Sequence, residues 1–273
     1  MKSAHRRWRL LVDPPADGAW NMAVDDALLE RAAADEEFLP TLRVYGWEPA
    51  ALSLGRNQRA EGAHNPDYLR SQSIDLVRRP TGGSAVLHEY ERTYAVVARV
   101  GREPFTSGVV ETYGRIAAVL CDALERLGLS ADEYSPSRRV QADSVACFSE
   151  PSAHEIAVAG RKLIGSAQRR RRRAFLQHGS ILCRADAQRL ADALGASGSV
   201  PQGFTDLESV LGRSVEPAAL DQALIDAFAA GFSGVMQRSE LTDEERRRAT
   251  RLRAVRYLNQ AWTIDGKERV APK

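Results

Sequence analysis

Residues 147–182 read CFSEPSAHEIAVAGRKLIGSAQRRRRRAFLQHGSIL. Within and just beyond them, EIAVAGRKLIGSAQ and RAFLQHGSILC have the composition of two strands, with the arginine run between them at the turn, and predict a β-hairpin. Gly160 supplies a tight turn, and Gly165, Ser166 and Ala167 carry side chains small enough for a ligand to approach the backbone. The same stretch holds a candidate nucleophile, Cys147, and the only lysine away from the chain ends. Of 38 basic residues only Lys2, Lys162, Lys267 and Lys273 are lysines, so arginine is used almost wherever a positive charge suffices. An ammonium is a compact charge whose pKa shifts on burial, whereas a guanidinium is a wide fork that stays charged. Lys162 therefore marks a place that needs a point charge beside a reacting carbonyl or thiol, and the combination points to acyl transfer.

Outward from this hairpin the chain mixes helices and strands. WRLLVD, TLRVYGW, AALSLG, DLVRRPTGG and AVLHEYERTYAVVARV are short β-rich runs separated by Pro, Gly and Asn, and they predict strands of one sheet. Residues 18–34 place Trp20, Met22, Ala23, Ala27, Leu28 and Ala32 at helical intervals after Asp17, which predicts a capped amphipathic helix. Residues 109–127 repeat apolar side chains every three or four positions up to the stop at Gly128. Helices are also expected at 186–196, 205–211 and 217–232, and after a capping box formed by Thr242 and Glu245.

The 273 residues are 44% hydrophobic, enough to bury a sizeable core. One main domain is expected over 1–245, followed by a C-terminal helix and loose tail over 246–273. A net charge of +2 is too balanced for a dedicated nucleic-acid binder. The first residues lack the apolar core of a signal peptide, and no run approaches the roughly 20 apolar residues of a membrane span. A cytoplasmic protein that engages neither membrane nor nucleic acid is expected. Three cysteines without a CxxC pair predict neither a disulfide framework nor a zinc site, and no metal is expected.

Cys121 and Cys183 fall in apolar helix and strand patterns, whereas Cys147 precedes a Ser-Glu-Pro-Ser turn signal and is the candidate exposed thiol. A thiolate attacks acyl thioesters, but an ordinary cysteine near pKa 8.5 is mostly protonated at neutral pH and needs a nearby positive charge. Lys162 supplies one, and can donate to the acyl carbonyl as charge develops on its oxygen. The segment RRPTGGSAVLH, with Arg79, Gly82, Gly83, Ser84, Ala85, Val86 and His88, can wrap backbone around an acyl chain or a phosphate, although a Gly-Gly pair is more often an ordinary turn. His88, and His178 with its neighbour Gly179, are pocket or proton-transfer candidates, while most histidines are structural. Arg169, Arg170, Arg171, Arg172 and Arg173 form either a solvated turn or a steering patch for an acidic carrier protein.

Four segments, GAWNMAVDDALL, TLRVYGWEPAALSLGRNQ, RRPTGGSAVLH and CFSEPSAHEIAVAGRKLIGSAQ followed by LQHGSIL, together resemble the superfamily of lipoate-protein ligases, octanoyltransferases and biotin ligases. The likeness spans about residues 8–185 and is strongest to the cysteine-dependent, LipM-type octanoyltransferases. It implies an α+β fold, a mixed, largely antiparallel β-sheet flanked by helices, with an acyl tunnel near Gly82 and Gly83. It also implies that Cys147 becomes an acyl-thioester and that Lys162 lowers its pKa, with no cofactor. Octanoyl would pass from octanoyl-acyl carrier protein to a lysine of a lipoyl domain such as glycine-cleavage H protein. Where the family loop has a third glycine this chain has Ser84, which puts the backbone there in question. The competing readings are an ATP-dependent lipoate-protein ligase, an amidotransferase moving octanoyl between lipoyl domains, and a non-catalytic protein that binds an acidic partner. Ligases typically carry an Asn-Asp pair ahead of the GRK motif, where this chain has Ser152-Ala153-His154-Glu155.

Overall fold

The computed structural model describes residues 6–106, 108–130, 132–134, 155–196 and 203–267, with the backbone alone at 132–134. In chain order the elements are β1 (Arg6–Val12), α1 (Gly18–Ala34), β2 (Thr41–Tyr45), β3 (Ala51–Leu54), α2 (Pro66–Ser71), β4 (Asp75–Arg78), β5 (Val86–His88), β6 (Glu91–Arg99) and α3 (Val109–Arg126). There follow β7 (Asp132–Tyr134), β8 (Glu155–Val158), β9 (Arg161–Arg171), β10 (Ala174–Leu182), α4 (Ala187–Leu194), α5 (Leu207–Leu211), α6 (Pro217–Gly231), β11 (Gly234–Arg238), α7 (Asp243–Leu252) and α8 (Gln260–Asp265). A π-helical turn, Arg253–Tyr257, links the last two.

The main sheet runs β11-β1-β2-β6-β10-β9-β8-β7, parallel among its first three strands and antiparallel thereafter. Its faces are covered separately. Tyr94, Val96 and Ala98 of β6 join the cluster with Ile116, Leu120 and Leu124 of α3 and Leu220, Leu224 and Phe228 of α6. Ala95 and Val97 join Met22, Ala23 and Ala27 of α1 on the other side. Burial on both faces is why the middle of β6, YAVVA at 94–98, reads as a continuous apolar run instead of an alternating one.

Several expectations are corrected. The strands form two sheets among the described residues, because β4-β3-β5 pair apart from the main sheet. Helix α1 is capped by Asp17 as expected, but it is buried on nearly all sides: Asp25 meets Arg43 and Tyr45 of the sheet, and α7 and the π-helical turn cover the opposite side, where Tyr257 meets Asp26. The arginine-rich stretch is mostly strand: β9 continues to Arg171, leaving only Arg172 and Arg173 at the turn, and β8 forms its own hairpin with β9 across Ala159 and Gly160, whose φ values are 49° and 75°.

The expected capping box of Thr242 and Glu245 is present. The boundary at 245 therefore falls inside α7, and the described residues beyond it, as far as 267, include packed ones. Trp262 is 1% exposed and donates from its indole N–H to the Arg78 carbonyl at 2.9 Å. The Arg78 guanidinium donates back to the carbonyls of Trp262, Thr263 and Ile264 at 2.9–3.0 Å. No helix among the described residues is long and apolar enough to cross a membrane.

Candidate active site

A cavity of about 90 Å³ opens where β9 and β10 meet α1, β6 and the loop between β4 and β5. Of the residues singled out in the sequence, Arg79, Gly83, Val86, His88, Gly165, Ser166, Ala167, His178 and Gly179 line it. Gly82, Ser84 and Ala85 do not. Ser84 offers its carbonyl to Arg79, and Ala85 is packed beneath the loop among Leu52, Leu54 and Leu190. Lys162 lies just behind the wall, and Cys147 lies outside the described residues.

The loop owes its shape to Arg79. Its guanidinium donates to the Gly82 carbonyl at 2.7 and 3.1 Å, the Ser84 carbonyl at 2.7 Å and the Ser53 carbonyl at 3.1 Å, so this side chain organises backbone. The left-handed residue is Gly83, at φ 91°, and Ser84 is not among the positive-φ positions, which explains how the chain accommodates serine there. Gly55 passes beneath: a Cβ at Gly55 would fall 1.7 Å from the Gly83 carbonyl oxygen, so only glycine permits the approach.

Both histidines are held by acids. His178 Nδ1 lies 2.8 Å from Asp25 Oδ2, and Nε2 lies 2.6 Å from the Thr81 hydroxyl. Burial alone would raise the pKa of Asp25, but the Arg43 guanidinium at 2.7 Å and His178 outweigh it and hold the carboxyl below its ordinary range. Being a carboxylate, Asp25 accepts, so Nδ1 carries the proton and Nε2 accepts from Thr81. Burial lowers the pKa of His178 further than Asp25 raises it, and the ring is neutral. Arg43 is anchored in turn by Asp13 at 2.7 Å, and Tyr45 donates to Asp25 at 2.9 Å.

His88 stacks on Trp47, with ring centroids 3.9 Å apart. Its Nδ1 faces Glu91 at 3.0 Å and its Nε2 faces the Ser53 hydroxyl at 2.7 Å. Glu91 also accepts from Thr93 and Ser180, and Thr93 accepts from the Trp47 indole. On the opposite wall the Tyr94 and Ser166 hydroxyls share a hydrogen bond of 2.7 Å, and burial pushes the Tyr94 phenol up to about 12. Burial likewise pushes the Cys183 thiol up to about 12, which makes it a poor nucleophile.

Lys162 is fully buried, and its ammonium donates to Oε1 of Glu155, which is 4% exposed and lines the cavity. The sequence pairs Lys162 with the Cys147 thiol; the structure gives it an acidic partner, Glu155, across the β8–β9 hairpin. Glu155 was missed: the glycine turn sets Lys162 opposite Ala157, and Glu155 lies two residues further along β8, beyond a register shift. Trp47, Tyr45, Thr93 and Asp25 were also missed, since no local pattern distinguishes them from other buried strand and helix residues.

The arginine run divides. Arg169 and Arg171 reach Asp26 at 3.5 Å, and Arg171 reaches Glu30 at 3.2 Å. Arg170 donates to the Thr112 hydroxyl at 2.9 Å and lies over the Phe175 ring. These three face inward because β9 carries them past α1 and α3, leaving Arg172 and Arg173 exposed.

A buried lysine-carboxylate pair thus borders the cavity, beside a glycine loop pinned by arginine. The chain belongs to the lipoyl protein ligase A/B catalytic domain family, whose model matches residues 17–229. It is 38% identical to octanoyltransferase LipM of Kyrpidia tusciae over 93% of this chain and 97% of that protein. It is also 35% identical to octanoyltransferase LipM of Brevibacillus brevis, over 94% and 99%. Among solved structures it is similar in fold to lipoate-protein ligase A bound with ATP, at a TM-score of 0.79 and 23% identity over 97% of this chain and 100% of that one. A bipartite lipoate protein ligase of Thermoplasma acidophilum, described with its E2 lipoyl domain, matches at 0.77 and 21% identity over 98% and 100%. At those identities the likeness carries the fold. The α+β architecture, a mixed, largely antiparallel sheet flanked by helices, is thereby that of the lipoate ligases.

Proposed function

We propose that this chain is an octanoyltransferase of lipoate biosynthesis, which moves octanoyl from acyl carrier protein through a thioester on Cys147 to a lysine of a lipoyl domain, such as that of glycine-cleavage H protein. It is an acyltransferase acting in the cytoplasm without a nucleotide. The observation that carries this reading is the near-full-length likeness to proteins named octanoyltransferase LipM, at 31–38% identity. The Thermoplasma acidophilum ligase, described with its E2 lipoyl domain, supports the choice of acceptor.

In this reading the octanoyl chain lies between Met22, Val86 and Ala167, and its thioester carbonyl points toward the Lys162–Glu155 end. Lys162 stabilises the Cys147 thiolate and the oxyanion formed on the acyl carbonyl. Arg172 and Arg173 steer the acidic carrier protein, an effect that fades with salt.

The test is octanoylation of an apo lipoyl domain from octanoyl-acyl carrier protein with no ATP present, which the reading expects to proceed. A requirement for ATP and free octanoate would replace it with a ligase. Within the same assay, Gly55→Ala is expected to slow transfer about 100-fold, because displacing the Gly83 carbonyl moves the loop that positions the acyl chain. A wild-type rate would remove that loop from the site.

A further inference from the structure

The two halves of the proposed reaction differ in what they ask of the protein. Attack of the Cys147 thiolate on a carrier thioester exchanges one thiolate for another and needs no proton acceptor. Attack of a lysine amine on the resulting thioester forms a C–N bond and leaves an extra proton on nitrogen, which must be removed for the amide to form.

The histidines that line the cavity are poorly placed for that task. His178 Nδ1 carries its proton toward Asp25, and its Nε2 accepts from Thr81. His88 is spanned by Glu91 and Ser53 and stacked on Trp47. Tyr45 donates to Asp25, and the Tyr94 phenol is pushed up to about 12. Arg79 has no acceptor to offer, since a guanidinium only donates. Glu155 is different. It lines the cavity, and its carboxylate receives the fully buried Lys162 ammonium, so an acid and a cation sit side by side at this end of the cavity.

We propose that Glu155 is the proton acceptor for the acceptor-lysine amine in the second half-reaction, an assignment that rests on the octanoyltransferase reading. The acceptor ammonium first loses a proton to water. Its nitrogen then adds to the thioester carbonyl, Glu155 takes the extra N–H proton, the C–S bond breaks, and the electron pair leaves on the Cys147 sulfur as thiolate. Glu155 passes its proton to solvent. Lys162 serves both ends, facing the carboxylate in the resting pair and the thiolate as it departs.

The experiment separates the half-reactions. Pre-formed octanoyl-enzyme, made from octanoyl-acyl carrier protein, is mixed with apo lipoyl domain and the single-turnover rate followed for the wild type, Glu155→Gln and Glu155→Ala. Thioester formation is followed separately. The expected result for Glu155→Gln is a transfer rate lowered about 100-fold or more, with thioester formation lowered by less than about tenfold. Glu155→Ala is expected to regain transfer with added formate and more with the more basic acetate, which a side chain that merely neutralises Lys162 would not produce. Equal slowing of both halves, or rescue independent of carboxylate basicity, would overturn the assignment, as would wild-type transfer by Glu155→Gln. Absence of any thioester on the wild-type enzyme would instead defeat the transferase reading itself.

Discussion

Replacing Asp25 by alanine lowers the melting temperature by on the order of 10 °C, equivalent to about 3 kcal/mol for a chain of this size. Asp25 is fully buried and receives Arg43, Tyr45 and His178 together. Its loss leaves a buried guanidinium short of a partner, an unanswered phenol and an imidazole whose tautomer is no longer fixed. The effect stays near the lower end for a broken buried ion pair because Asp13 still holds Arg43 Nε at 2.7 Å. The pH dependence has a definite sign. Asp25 titrates below its ordinary 3.8 in the folded state, so its contribution is complete above that value and is lost as pH falls through the folded pKa. His178 titrates below 6.5, so the unfolded chain takes that proton first and stability also falls as pH drops below 6.5. In Asp25→Ala the fall in the carboxylate range becomes shallower than in the wild type. A melting temperature within about 2 °C of wild type would show that the network contributes little.

Replacing Lys162 by methionine slows thioester formation on the order of 1000-fold, the largest effect on activity expected outside Cys147. Methionine fills a similar volume, so the packing between β8 and β9 is largely kept while the ammonium disappears. Lys162→Arg keeps the charge but is expected to remain impaired. The side chain is fully buried, and a planar fork does not take the place of a point charge beside Glu155. The check is single-turnover formation of octanoyl-enzyme, with the pH profile of iodoacetamide alkylation as a second readout. The alkylation midpoint should move to higher pH in Lys162→Met. Thioester formation within about threefold of wild type, with an unmoved midpoint, would remove Lys162 from the mechanism.

Much of this site could be read from local sequence because its signals are local. Glycine turns, the capping box, the isolated lysine and the hairpin around GRKLIGSAQ each show within about ten residues. What could not be read depends on distant pairing. Asp25 and Asp26 sit in a helical pattern that looks amphipathic, and only distant packing buries them: Asp25 against Arg43, Tyr45 and His178 of the sheet, and Asp26 against Arg256 and Tyr257 of the π-helical turn. The arginine run looked like a solvated turn because charge implies exposure. Its inward face became visible only once β9 was set beside α1, where Asp26 and Glu30 meet Arg169 and Arg171. Trp262 lies just ahead of a stretch, TIDGKERVAPK, that reads as a tail, and its indole pairs with Arg78, far away in sequence. Glu155 was hidden for a different reason: its partner is near, but its role appears only with the cavity.

The central claim is that acyl transfer passes through a thioester on Cys147. Intact-protein mass spectrometry after incubation with octanoyl-acyl carrier protein tests it most directly. The account predicts a gain of one octanoyl group, released by hydroxylamine, mapping to Cys147 and absent from Cys147→Ala. A wild-type protein that gains no mass while still octanoylating a lipoyl domain, or a Cys147→Ala variant that gains the same labile group, would contradict it.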